Sequence, residues 1–183
     1  MARVRIQSLR LQGFKSFPDP VELAFPGQIA AIIGPNGCGK SNVVDAMVWV
    51  LGEQSPSLLR LKSMGDVVFS GASGRAPAGV AEVALRLVSD DGRWEATGGT
   101  CEISRRVYRS GPSEYRVNGR VARLRDVADE LLSVGLGTRD YAIIEQGRVG
   151  QVLSARPTDR RMLLEEAAGI SRYRVRRHDA ELK

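Results

Sequence analysis

Histidine is almost absent from this 183-residue sequence, with His178 the only one, and cysteine occurs just twice, as Cys38 and Cys101. That set offers no metal-ligand spacing, so a zinc-type centre is not expected. Cys38 falls inside a glycine-rich turn, where a disulfide would obstruct whatever the turn receives. A reduced, intracellular protein is the expectation. No run of about 18 apolar residues occurs, so no membrane-spanning helix is expected. The start, MARVRIQSLRLQGF, alternates like a strand and has no continuous apolar stretch, which argues against a secretory signal. A soluble, cytoplasmic protein with no membrane partner is the reading.

What remains is ordinary material for a core. Hydrophobic residues make up 43% of the chain and charged residues 26%, which suits one compact domain or a large piece of one. Disordered and collagen-like classes drop out. Lys and Arg number 27 against 21 Asp and Glu, a net charge of +6. The bias is mild and points to polyanionic partners, nucleotides or nucleic acid.

Periodicity lays out the elements. Val4, Ile6, Leu9 and Leu11 predict a first strand with one slip in its alternation, and Val21–Phe25 a second. IAAII (Ile29–Ile33) is apolar throughout, as a strand buried on both faces would be. Lys40 to Leu51 has helical length and is apolar almost all round, which predicts an enclosed helix. Two hairpins follow, turning at Asp91-Gly92 and at Asn118-Gly119, the latter a favoured type I′ pair. Arg123–Val134 carries Leu124, Val127, Ala128, Leu131 and Leu132 at helical spacing, with Gly135 and Gly137 closing it. YAII (Tyr141–Ile144) predicts another buried strand. From Pro157 a charged helix is expected to run to the last residue, loosened at Gly169, with Val175 and Leu182 hinting at a heptad. It stops without a cap, as a piece of a longer chain would.

Between the apolar run and the first helix lies GPNGCGKS, Gly34 to Ser41, which satisfies G-x-x-x-x-G-K-[ST] in the strand-to-helix context the motif demands. Glycines let the backbone curl so that successive N–H groups of Gly34, Asn36, Gly37, Cys38 and Gly39 surround one anion, with Pro35 shaping the same loop without a donor. The helix N-terminus adds partial positive charge. Lys40 reaches the β- and γ-phosphates, and the Ser41 hydroxyl is a ligand for Mg²⁺. A nucleoside triphosphate site is the expectation. The motif alone leaves kinases, GTPases and ABC-type ATPases open.

The surroundings narrow the choice. LQGFKSF, then GPNGCGKSNVVDAMVWVLGEQS, then MGDVVFSG (Met64–Gly71), EQG and LLEEAAGISRYRVRR together resemble the N-terminal half of a structural-maintenance-of-chromosomes (SMC) ATPase head, over nearly the whole chain. A DNA-repair ATPase of the RecN type is the near alternative. The resemblance implies an α/β fold, the N-terminal lobe of an ABC-type P-loop head with a mixed sheet and hairpins around the loop helix. It implies a lobe over residues 1–158 and the start of a coiled-coil neck over 159–183. It implies ATP and Mg²⁺ as ligands, with Asn42, Lys15 and Ser16 near the phosphates. Gln146 would touch the metal and the attacking water, and Arg60 would act like an arginine finger. Cys38 stands where many members carry serine, which predicts sensitivity to bulky thiol reagents.

Hydrolysis of this type also needs an apolar strand ending in Asp and a catalytic Glu, and a signature loop. Asp129-Glu130 sits on a helical pattern, and LSVGLG (Leu132–Gly137) lacks the paired glycines and reads as a helix end. His178 lies among arginines and is no switch residue. The family places the missing parts on a C-terminal lobe, so the chain is expected to hold the nucleotide cradle without the general base. Expected partners are that lobe, a second head joined in an ATP-dependent homodimer, a kleisin subunit at the neck, and DNA in the nucleoid. A reading as a DNA-binding module with little catalysis of its own stays open. For DNA, Ile103 to Arg125 carries seven arginines against one acid, Glu114. Arg105, Arg106, Arg109, Arg116 and Arg120 are the candidate contacts, with Arg123 and Arg125 beside them.

Overall fold

A computed structural model of the chain describes residues 4–92, 94–110, 112–134 and 161. Along it run β1 (Val4–Gln12), β2 (Val21–Ala24), α1 (Lys40–Val50), a 3₁₀ turn (Met64–Val67), β3 (Val80–Ser89), a second 3₁₀ turn (Glu95–Thr97), β4 (Thr100–Tyr108), β5 (Ser113–Val117), β6 (Arg120–Ala122) and α2 (Leu124–Ser133). The strands form one sheet in the order β2-β1-β3-β4-β5-β6. Every pairing among the described residues is antiparallel.

The slip read in the first strand is a register shift between Ile6 and Ser8. It moves the apolar set so that Leu9 and Leu11 reach the core face, where both are fully buried. Val83, Leu85 and Leu87 of β3 and Cys101, Ile103 and Val107 of β4 continue that face. Helix α1 lies against β3 and β4 and closes it with Val43, Ala46, Trp49 and Val50. Each large side chain so buried contributes about 1.5–3 kcal/mol. Phe14 joins them with its ring 5.3 Å from that of Trp49.

The hairpin at Asn118-Gly119 forms as its residues require. Both adopt the left-handed conformation, φ 49 and 77, of a type I′ turn. The other hairpin forms with a wider connection than a two-residue turn. Ser89 N–H donates to Gly99 C=O at 2.9 Å, and the 3₁₀ turn fills the loop. Helix α2 matches its expected span and buries Val127 and Leu131 one turn apart.

One expectation is overturned. Residues 29–33 form no strand, and Ile29 and Ile33 are 94% and 92% exposed. A strand buried on both faces needs neighbours at its edges. None of the six described strands pairs with this segment, so its apolar side chains face solvent.

By compactness the chain divides into Met1–Val127 and Ala128–Lys183. The boundary expected at 158/159, the strand at 141–144, Gln146, the helix from Pro157 apart from the helical Arg161, and His178 lie outside the described residues.

Candidate phosphate-binding site

The glycine loop enters α1 through two left-handed glycines, Gly37 at φ 81 and Gly39 at φ 96. Any side chain would strain both, and at Gly39 a Cβ would also lie 2.8 Å from Ser16 Oγ. At Gly34 it would meet Cys38 Sγ at 2.9 Å. The loop is therefore drawn in tightly while Gly34 through Cys38 remain exposed. Helix α1 has no side-chain N-cap and no acid in its first turn. Its leading N–H groups and dipole are left to an external anion. Lys40 folds back over the loop, its Nζ donating to Gly34 and Pro35 carbonyls at 2.6 Å each and lying 3.8 Å from Cys38 Sγ. Its ammonium thus sits above the cradle rather than out in solvent. Ser41 is exposed on the first turn beside it.

The expected flanking residues converge on this loop in two ways. Ser16 touches it directly: Asn42 Nδ2 donates to Ser16 Oγ at 2.8 Å, tying the segment after β1 to the first turn of α1. Lys15 points instead beneath it, its Nζ donating to Asp45 Oδ2 and to Leu59 C=O, both at 2.6 Å. Arg60 Nη2 reaches the same Asp45 oxygen at 2.5 Å. Asp45 went unremarked in the sequence, although a lone acid in an apolar helix, four residues beyond Ser41, was the visible signal.

The arginines of β4 to β6 divide sharply. Arg105 is fully buried, contrary to its place in a surface patch. Its Nη1 donates to Trp49 C=O at 2.9 Å and Glu53 C=O at 2.6 Å, and its Nε to Ser113 Oγ at 2.9 Å. The guanidinium lies 4.6 Å and 4.8 Å from the Trp49 and Tyr115 ring centres. Adjacent strand residues face opposite sides, and Cys101, Ile103, Arg105 and Val107 share the core face. Arg106 is on the outer face, where Glu82 accepts from it at 2.6 and 3.1 Å. That carboxylate raises the guanidinium pKa above its usual value. Arg116 pairs with Glu114 at 2.6 Å. Across the same face Arg10 stands opposite Glu22, and Arg86 opposite Glu102. Arg109 donates to the carbonyls of Phe69 and Ala78. Arg120 and Arg123, at and just after β6, are exposed.

Asp129 and Glu130 lie on α2, as their helical spacing implied. Among the described residues no cluster of His, Cys, Asp or Glu can hold a metal. The exposed Ser41 hydroxyl is an oxygen donor of the kind that would fit a magnesium ion otherwise held by phosphate oxygens and water. No described helix is long and apolar enough to cross a membrane.

A curled glycine loop, a lysine folded over it and an uncapped helix packed on a sheet define a P-loop nucleotide-binding protein. More narrowly, the chain belongs to the RecF/RecN/SMC N-terminal domain family, whose profile matches residues 5–140. It is 47% identical to the chromosome partition protein Smc of Methylococcus capsulatus, over 97% of this chain and 16% of that protein. The chain thus spans about one sixth of such relatives. The Pyrococcus furiosus Smc head domain, solved with an extended coiled coil and bound to the C-terminal domain of ScpA, superposes with a TM-score of 0.85 at 34% identity. That match covers 97% of this chain and 45% of the other. A structure described for ATP-driven dimerization and DNA-stimulated activation of SMC ATPases gives 0.78 at 34% identity, covering 88% and 98%. The fold is that of the N-terminal lobe of an SMC ATPase head.

Proposed function

We propose that this chain is the ATP-binding half of an SMC head that serves chromosome condensation and segregation. The observation that carries the reading is the loop from Gly34 to Ser41, with its left-handed glycines and the Lys40 ammonium held above them. On binding, Lys40 exchanges the two loop carbonyls for phosphate oxygens, and the N–H groups of the loop and first helical turn donate to the same phosphate chain. Ser41 would hold a magnesium ion through its hydroxyl, and that ion, bound with the nucleotide, would neutralise phosphate charge and polarise the transferred group. Gln146 positions water in this reading.

No described residue beside the loop serves as a general base in this reading. A C-terminal lobe supplies it, and a second head supplies the signature loop across the nucleotide. The exposed apolar segment 29–33 supports this division, because strands of a complementary lobe would give it neighbours that the six described strands do not supply. Relatives described as dimerising with ATP and as binding ScpA support a homodimeric head and a kleisin at the neck, in a cytoplasmic, nucleoid-associated protein. The DNA-facing surface in this reading is the β5–β6 hairpin with Arg120 and Arg123, since the outer sheet face alternates arginine with glutamate.

The test is a nucleotide titration. Charge-assisted hydrogen bonds are worth roughly 1.5–3 kcal/mol, so Lys40→Ala weakens ATP binding by about tenfold or more. Equal affinity in the two proteins contradicts the reading.

A further inference from the structure

Asp45 is the only acid among the eleven residues of α1, and it is 7% exposed. One of its oxygens serves two cations, Lys15 and Arg60. The cations differ in kind. Lys15 is an internal tie, its side chain only 10% exposed and its Nζ also bound to the carbonyl of Leu59, the residue before Arg60. The Arg60 side chain is 59% exposed and gives Asp45 one nitrogen, leaving guanidinium donors turned to solvent. Arg60 also holds φ 58, a left-handed conformation that a non-glycine residue keeps only where its surroundings over-determine it. They do so here: Leu59 is fully buried, Arg60 N–H donates to Ser57 C=O, and Leu61 N–H to Pro56 C=O.

The cluster sits one helical turn from the loop, since Asp45 follows Ser41 by four residues and lies on the same face of α1. A buried carboxylate is already matched by a buried lysine. A second, solvent-facing cation adds little to stability, so what its anchoring fixes is direction.

We infer that Asp45 is a positioning residue for Arg60. It grips one guanidinium nitrogen from below, while Lys15 pins the Arg60 backbone through Leu59, so that the remaining N–H donors meet the phosphate chain of a nucleotide held by the glycine loop. This rests on the nucleotide-binding reading above, and it makes the first-turn serine and the later arginine parts of one rigid unit.

The test uses the full 183-residue chain and Mg-ATP in competition with a fluorescent ATP analogue. Lys40→Ala, Arg60→Ala, Asp45→Asn and the double variant Asp45→Asn with Arg60→Ala are compared. Arg60→Ala and Asp45→Asn are each expected to weaken binding about fivefold, and the double variant to be no weaker than Arg60→Ala. Unchanged binding by Lys40→Ala sinks the nucleotide reading itself. Weak binding by Lys40→Ala with normal binding by Asp45→Asn, or effects that multiply in the double variant, overturns the Asp45 inference alone. If Asp45→Asn does not fold, side-chain nitrogen NMR of the unaltered chain decides. Arg60 signals split by hindered rotation and displaced by Mg-ATP support the inference, and a freely averaging signal indifferent to nucleotide overturns it.

Discussion

On β4, two neighbouring arginines carry opposite energetic weight. Arg105 is fully enclosed, sits between two aromatic rings and satisfies two carbonyls at the end of α1. Removing it leaves a cavity and strips those acceptors of a charged donor. Arg105→Ala should therefore cost roughly 3 kcal/mol or more, read from the urea midpoint and slope. Arg106 pairs with Glu82 at the surface, where such bridges are worth about 0–1 kcal/mol, so Arg106→Ala should move the midpoint only slightly. Equal costs would contradict the enclosure of Arg105 in the core. The glycine loop was legible residue by residue, because its motif fixes which positions must lack a side chain. Arg105 was not, since its charge masked an alternation that Cys101, Ile103 and Val107 had already set. Asp45 escaped for the reverse reason: a single polar letter in an apolar helix says nothing of the two cations that distant segments bring to it.

At the scale of elements, the turn after the Arg60 loop offers a titratable handle. Ser63 N–H donates to Asp66 Oδ2 at 2.7 Å, opening the 3₁₀ turn at Met64. That bond and the Ser63 hydroxyl hold the Asp66 pKa below the usual carboxylate value. A carboxyl depressed on folding stabilises above its unfolded pKa and loses that contribution as pH falls through the folded one. The gap in stability between the unaltered chain and Asp66→Asn should accordingly be present at neutral pH and shrink below about pH 4. A gap independent of pH would contradict this role. The elements themselves were readable where local chemistry decides them, as at Asn118-Gly119 and along α2. Segment 29–33 shows the limit. Its composition states what it needs, a covered environment, and composition alone carries no information on whether a neighbouring strand is in the same chain.

For the molecule as a whole, charge is distributed less simply than a net value of +6 suggests. The outer sheet face sets Arg10, Arg86, Arg106 and Arg116 beside Glu22, Glu102, Glu82 and Glu114, so it offers a polyanion little net attraction. If the hairpin end binds duplex DNA, affinity should fall steeply with salt, and neutralising Arg120 and Arg123 together should flatten that slope by about two counterions' worth. An unchanged slope would remove this surface. In the proposed reading the cradle is mostly continuous in sequence, amides, a lysine and a serine with Arg60 added from a later segment, and the base comes from a C-terminal lobe.

The most direct test is to titrate the isotopically labelled chain with Mg-ATP and follow its backbone amide resonances. The account predicts that the largest displacements fall on Gly37, Cys38, Gly39, Lys40, Ser41 and Asn42, and that Lys40→Ala abolishes them at the same nucleotide concentration. Displacements centred on any other part of the chain, or unaltered by Lys40→Ala, would contradict it.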